Sequence, residues 1–558
     1  MKTLPNGQKL RGGFYTHPEI AKFLVNWAIQ KPSANVLEPS CGDGVFFKPI
    51  IERLSSLGAE LGSITNQITA VELDGAEAKK AFFCLSDLLS TEGLTNTYEG
   101  DFFTQVAWHL GNKRYNAIVG NPPFIRYQHF PDAYREIAFR LMRAAGLHPT
   151  KLTNAWLPFI VVCTELLAEK GRIAMVVPAE LLQVNYAAEL RQFLNDRLDQ
   201  LTIFTFRNLI FKEVQQEVVL ICGERNGGFN KGIRIIELND ICDLENYIHP
   251  SFEPHLLKPM DHSKEKWTQY FITTTQNQLI RHMLAYPGLH RFGQLAEVDV
   301  GIVTGLNDFF VLKHSQIEKT DAHDYVIPLV SRSSQLSGVE FTRLDWTKNT
   351  ANDLYTFLLN IPNIPLNQLP DRLVKYIKDG EEKGYDKGYK CRIRNPWFKV
   401  PSVWVPDAFM LRQIHTCPRV ITNSAKATST DTIHRVRVSA GVNVKQLTGS
   451  VYNSLTFAFS EILGRSYGGG VLELEPREAE KLPIPYEAAK QLDLDLVDRL
   501  LRSGENTEAL DYCDSTLLIE GLGLKNEDVE QLRDIWALLR NRRINRRFRK
   551  EKKNPPCI

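Results

Sequence analysis

Short apolar runs, each closed by a polar turn, recur through the first 225 residues and alternate with stretches in which apolar positions follow a helical period. The first run is Val36-Leu37, followed by Glu38-Pro39-Ser40-Cys41-Gly42-Asp43-Gly44 and an apolar helix start. Others are Ile68–Val71 before Glu72-Leu73-Asp74, 97–99 before Gly100-Asp101-Phe102-Phe103, and Ala117–Val119 before Gly120-Asn121-Pro122-Pro123-Phe124. Further strands are predicted at 172–177, 201–206 and 217–222, the last as an antiparallel return. Helices are predicted from about Pro18, with Thr16 as N-cap and Glu19 completing a capping box, and over 154–169 and 179–197. This alternation predicts a doubly wound, mostly parallel sheet that closes in a hairpin. After Gly227-Gly228 the alternation fails, and aromatic and basic residues interleave, so a domain boundary is expected near 245. From 486 onward leucine, isoleucine and valine return at helical spacings. The expected division is therefore 1–244, 245–485 and a helical segment, 486–558.

The turn after the fourth strand carries the most constrained chemistry. Pro122 and Pro123 each fix their own φ and force the preceding residue to stay extended. Asn121 and the Pro122 carbonyl then form two fixed acceptors beside the Phe124 ring, provided that the Asn121 oxygen faces the crevice. Such a corner suits an exocyclic amine on a planar ring, such as that of adenine. The amine's lone pair is delocalised into the ring, and two acceptors on its N–H groups favour the tetrahedral geometry that makes it a nucleophile. No metal is required. The glycine-bearing loop after the first strand lets backbone approach a ligand, but it lacks both the phosphate-loop lysine and the three-glycine dinucleotide fingerprint. Glu72 and Asp101 end neighbouring strands on the edge where open α/β sheets bind ligands.

Composition narrows the class. At 558 residues, 43% hydrophobic and 24% charged, the chain is that of a multidomain globular protein. No signal core or membrane span is read, and nine scattered cysteines without a Cys-x-x-Cys pair argue against a disulfide framework and a zinc cluster. A reducing cytoplasm is the expected home. The net charge of +2 conceals a tail, Arg540–Lys553, that carries +8 and leaves the remainder acidic by 6. Such a tail suits salt-sensitive attraction to phosphates or a solvated end.

Tyr15-Thr16-His17-Pro18, Leu37-Glu38-Pro39-Ser40-Cys41-Gly42-Asp43-Gly44, Val71-Glu72-Leu73-Asp74, Gly100-Asp101-Phe102 and Asn121-Pro122-Pro123-Phe124 follow one another in a specific order. That set resembles the motifs of adenine-N6 DNA methyltransferases of the gamma class, typified by the TaqI methyltransferase. The resemblance implies a Rossmann-like, seven-stranded, mostly parallel methyltransferase sheet, with a mixed α/β target-recognition domain behind it. It implies S-adenosylmethionine as cofactor, held by Thr16, Glu38, Ser40, Gly42, Glu72, Asp101, Phe102 and Pro123. Asn121, Pro122 and Phe124 would handle the target base, with Phe211 as a second stacking ring. The partner would be double-stranded DNA, bound by a monomer that shares its site with a cognate restriction endonuclease without binding it. In the second half, 300–307, 385–397 and 467–475 resemble the recognition domain, although for Trp397, Trp404 and Tyr467 taken singly domain packing is the favoured reading.

Flipping a base out of a duplex costs a few kcal/mol, and stacking on aromatic rings returns ~1–3 kcal/mol per base. That is the chemical reason to expect Phe124 and Phe211 at such a site. Enzymes that methylate RNA guanine or protein glutamine use a similar corner, but the trailing domain of some three hundred residues argues against them. A noncatalytic DNA-binding subunit would be expected to carry a damaged corner. Pro370-Asp371 with Glu381-Glu382-Lys383 mimics a nuclease signature, yet Gly380–Gly384 reads as a charged turn rather than the buried strand that a nuclease needs.

Overall fold

Strand β4 (Tyr115–Gly120) lies fourth in an eight-stranded sheet ordered β3-β2-β1-β4-β5-β7-β6-β8. Its neighbours are β1 (Val36–Glu38) and β5 (Leu167–Pro178), both parallel to it. Strands β2 (Ile68–Glu72) and β3 (Thr97–Glu99) extend the sheet beyond β1. Strand β7 (Val218–Glu224) runs antiparallel between β5 and β6 (Gln200–Phe206), and β8 (Gly232–Leu238) pairs parallel with β6. The expected seven strands are thus eight, because the stretch where alternation fails still supplies Gly-Ile-Arg-Ile-Ile-Glu-Leu as an edge strand. This computed structural model describes residues 16–545, apart from 92–93, 209–216, 226–230, 248–256, 260–264 and 468.

Apolar burial explains the layers. Helices α1 (Pro18–Ala28), α2 (Phe47–Ser56) and α3 (Gly75–Leu89) cover one face of the sheet, with Phe23, Phe47, Ile50 and Leu85 buried against Val36, Ala117 and Val119. Helices α4 (Phe102–Gln105), α5 (Asp132–Ala144), α6 (Trp156–Glu165) and α7 (Ala188–Arg197) cover the other, around Leu37, Ile118 and Ile173. Strand order reverses between β1 and β4, so their carboxyl ends open the crevice in which doubly wound sheets take ligands.

Three local expectations change. The cap of α1 is His17, whose ring accepts from the Glu19 N–H at 3.3 Å, and Pro18 fills the first turn. Thr16 is left for another partner. Helix α6 stops at Glu165, because Leu167 already pairs with Tyr115. Gly171 serves the resulting bulge, since a Cβ there would meet the Ala168 and Tyr115 carbonyls at 2.9 and 3.0 Å. The helix expected over 179–197 is broken into Glu180–Gln183, a 3-10 turn and α7.

The chain divides into two compact units after Thr273, later than the boundary expected at 245, and the second runs Thr274–Ile544. Its five-stranded sheet is ordered β9 (Ala296–Asp299), β13 (Ile433–Val438), β11 (Ala408–Leu411), β12 (Val420–Asn423), β10 (Glu340–Phe341). The nuclease-like stretch belongs to helix α8 (Asp371–Glu382), not to a turn, and Glu381 accepts from the Trp397 indole at 2.9 Å. The helical segment expected from 486 is part of this unit, where helix α11 (Asn526–Ile544) packs along α9 (Ser454–Leu463), with α10 (Leu494–Ser503) between them in the chain.

Candidate functional site

Three acidic side chains gather behind the glycine loop that follows β1. Glu38 ends β1 at 1% exposure, and neither of its carboxylate oxygens has a hydrogen-bond partner among the described residues. Burial, with Asp43 and Glu72 adding repulsion, holds its carboxyl well above the ordinary glutamate range. Asp43 is raised in the same direction, chiefly by burial. Glu72 is tied down instead: one oxygen accepts from the Gly42 N–H at 2.8 Å and the other from the Asp74 N–H at 2.8 Å. Those bonds, with the Cys41 N–H donating to the Val71 carbonyl at 2.9 Å, fasten the loop to the end of β2. Gly42 is left-handed at φ +54 with open space where a Cβ would stand, whereas a Cβ at Gly44 would meet the Phe47 ring at 2.8 Å. An unpaired acid at the centre of such a cradle suits a cation. Asp43 was not among the expected contacts; its place between the two loop glycines was the available signal.

Asp101 and Phe102 stand at the end of β3. One Asp101 oxygen caps α4, accepting from the Thr104 N–H and hydroxyl at 2.8 Å each. Phe102 is 2% exposed and stacks on Phe159 with centroids 5.1 Å apart, so its ring belongs to the core and not to the crevice.

The proline corner sits where the two faces of the core meet, for Phe124 packs partly against both. Asn121 is joined to two neighbouring segments, the start of α1 and the loop after β1. Its Nδ2 donates to Thr16 Oγ1 at 3.1 Å, its carbonyl accepts from Ser40 Oγ at 3.3 Å, and its strand end is packed on Pro39, which a Cβ at Gly120 would touch at 3.2 Å. Thr16, Ser40 and Asn121 are thereby brought together, with Glu38 beginning the Ser40 loop. The Asn121 side-chain oxygen, however, is shielded from solvent, so the acceptor expected to face an open crevice is covered. The reason is the displaced cap, which leaves the Thr16 hydroxyl to hold the carboxamide. A hydroxyl both donates and accepts, so a half-turn about χ2 presents either end of the amide to it. Pro122 is buried and Pro123 half-buried. Phe211 lies outside the described residues.

In the second unit, two of the three stretches noted in the sequence meet. Arg394 donates to the carbonyls of Thr304 at 2.7 Å and Val303 at 3.0 Å, and Gly305 has no room for a Cβ against Lys390. Gly301 is equally obligatory, because a Cβ there would lie 1.9 Å from the Thr430 carbonyl. On this fixed base Tyr389 is 66% and Ile393 63% exposed, flanked by exposed Lys387, Lys390 and Arg392. Trp397 packs on Phe309 at 4.7 Å and Trp404 lies between Arg435 and Arg437 at 4.4 and 4.3 Å, so both rings have packing roles. The third stretch is structural as well, since Glu473 and Glu475 pair with Arg412 at 2.6 and 3.0 Å.

Among the described residues no three His, Cys, Asp or Glu side chains are placed to hold a metal ion together, and no helix is long and apolar enough to cross a membrane. Residues 2–274 match the sequence model of the N-6 DNA Methylase family, and 264–518 match that of the C-terminal domain of Type II methyltransferase M.Eco57I. The chain is 22% identical over 512 residues to Type II methyltransferase M.AccI of Acinetobacter calcoaceticus, covering 87% of this chain and 86% of that one. It is 23% identical over 488 residues to Type II methyltransferase M.XamI of Xanthomonas campestris pv. amaranthicola, covering 85% of each. Among solved structures it is similar in fold to the Type IIL restriction-modification enzyme MmeI in complex with DNA, with TM-score 0.57 and 12% identity over 94% of this chain and 75% of that one.

Proposed function

We propose, from the match of residues 2–274 to the N-6 DNA Methylase family and from the Type II methyltransferase relatives, that the chain methylates the N6 amine of adenine at a specific sequence in duplex DNA, within a restriction–modification system. The observation that carries the reading is the junction of Asn121 with Thr16 and Ser40, which sets the proline corner directly beside the acidic cradle. S-adenosylmethionine supplies an electrophilic methyl on a sulfonium, and the orphaned Glu38 carboxylate fits a cation of that kind. Glu38, Glu72, Asp101 and the Gly42 loop, with Thr16, Ser40 and Pro123, would hold it. Asn121 turns its carboxamide off Thr16 to accept one N–H of the amine, the Pro122 carbonyl accepts the other, and Phe124 stacks on the base. Bound there, the cofactor would supply the methyl on its sulfonium sulfur to the amine nitrogen, with one amine proton passing to solvent. Action as a monomer, beside an endonuclease that is not bound, completes the proposal.

Glu38 gives a test that does not depend on turnover. Because the folded chain holds this proton above the ordinary range, it binds more protons than the unfolded chain there, and stability falls as pH rises through and beyond that range. Glu38→Gln is expected to flatten that slope and raise the melting temperature at neutral pH, while calorimetry shows weaker cofactor binding. An unchanged melting profile with unchanged affinity would contradict the assignment.

The surface at 385–397 supplies a test of DNA binding. Each phosphate contact contributes a salt dependence of about 0.9 in the slope of log K against log salt, so Lys387→Ala, Lys390→Ala and Arg392→Ala together are expected to reduce the slope by roughly 2.7. A triple variant with the wild-type slope on plasmid DNA would place the phosphate contacts elsewhere.

A further inference from the structure

The four-residue corner is followed at once by a clamped loop. The Ala155 N–H donates to the Ile125 carbonyl at 2.9 Å, and the Tyr127 N–H donates to Asn154 Oδ1 at 3.0 Å. Two adjacent residues before α6 therefore hold alternate backbone positions after Phe124. The loop is gripped on its far side too, where Arg135 lies 4.4 Å over the Tyr127 ring and donates to the Phe130 carbonyl at 2.9 Å.

Asn154 is itself oriented. Its Nδ2 donates to the Tyr186 hydroxyl at 3.0 Å, and that hydroxyl donates to the Glu180 carboxylate. All three bonds point the same way, from Tyr127 N–H to amide oxygen and from amide N–H through the phenol to a carboxylate. Each donor is strengthened by the next acceptor. Burial, reinforced by Glu180, makes the Tyr186 phenol far less acidic than usual, so its proton stays in the chain of bonds. Glu180 stands just past Pro178, the end of β5, which is the strand beside β4. The relay therefore ties the loop leaving β4 to the exit of its neighbour.

Resting on the adenine-methylation reading above, we propose that Asn154 and Tyr186 are positioning residues for the target base, acting through the backbone of Ile125–Tyr127 on the Phe124 ring. The Phe124 ring packs partly against both core clusters, and the backbone on either side of it sets where the ring would meet a base. Gly120–Pro123 fixes one side and the Asn154 clamp fixes the other. Neither Asn154 nor Tyr186 need touch base or cofactor.

The test compares Asn154→Ala, Asn154→Asp and Tyr186→Phe in the full chain, with unmethylated plasmid DNA and S-adenosylmethionine. A misplacement near 1 Å lowers rate by about a hundredfold, so Asn154→Ala is expected to lose about that much in kcat with little change in KM for the cofactor. Tyr186→Phe, which keeps the amide but not its anchor, is expected to lose about tenfold. Asn154→Asp keeps the acceptor for the Tyr127 N–H and is expected to recover most of the loss. Once the modified sequence is mapped, 2-aminopurine at the target position reports the stacking change, which a purely structural role would leave alone. Unchanged kcat in Asn154→Ala and Tyr186→Phe, or a loss that tracks melting temperature and is not recovered by aspartate, overturns the inference while leaving DNA methylation standing. Wild-type chain that leaves DNA unmodified overturns the methylation reading, and this inference with it.

Discussion

Asn121→Ala is expected to lower the methylation rate by at least about 10²–10³-fold, the cost of removing one preorganised polar group from a site of charge development. The amine of adenine is nearly planar and weakly nucleophilic, so an acceptor that draws on its N–H as the new bond forms acts in the transition state far more than in the bound substrate. Cofactor affinity should survive, because the Glu38 and Glu72 positions are set by β1, β2 and the glycine loop rather than by the carboxamide. The loss should therefore appear in kcat. Calorimetric titration with S-adenosylmethionine alongside a methyl-transfer assay separates the two effects, and a variant that retains turnover contradicts the assigned role.

The largest stability effect is expected at a residue outside the crevice. Arg543, 2% exposed, donates to Glu461 and to the carbonyls of Ile414, His415 and Gly470. Glu461 is itself buried, and burial pushes its carboxyl up even though Arg543 opposes the shift. Removing one member of such a pair strands the other charge, at a cost of about 3–5 kcal/mol. Arg543→Ala is expected to show that loss in denaturant unfolding of the second unit, whereas replacing both partners with apolar residues of similar size recovers most of it. Equal stability of the single and double variants would contradict this account.

Arg543 also shows where reading the chain alone falls short. It lies in a run of nine basic residues, and charge pattern assigns such a run to solvent or phosphate. Only tertiary packing of α11 along α9 reveals that one of them is the internal partner of Glu461. The alternation of apolar runs and amphipathic stretches, by contrast, was enough for the position along the chain and the mostly parallel sense of most strands in the first sheet. Apart from β3, whose residues are half-buried or exposed, each apolar run buries its strand on both faces, and that signal is local. Strand β8 escaped because Gly232–Leu238 is an edge strand with half-buried residues in a stretch of weak alternation. Helix ends failed where competing bonds won: His17 displaced Thr16 as the cap, and the Gly171 bulge cut α6 short.

The placement of the candidate site residues at strand ends was legible to the same degree. Glu38, Ser40, Gly42, Glu72 and Asn121 stand at strand ends, and the topology of a doubly wound sheet collects strand ends on one edge. Phe102 was misplaced because an aromatic residue after a strand is equally suited to crevice and core, and stacking on Phe159 decided it. Asn154, Tyr186 and Glu180 carry no spacing signal, since their bonds join three elements well separated in the chain.

The most direct measurement is sequencing of modified bases in DNA from cells that lack adenine methylation and express this chain, alongside cells expressing Asn121→Ala. The account predicts N6-methyladenine at every copy of one short sequence in the first and none in the second. DNA without methyladenine, together with methylated guanine in ribosomal RNA or methylated glutamine in protein, would contradict it.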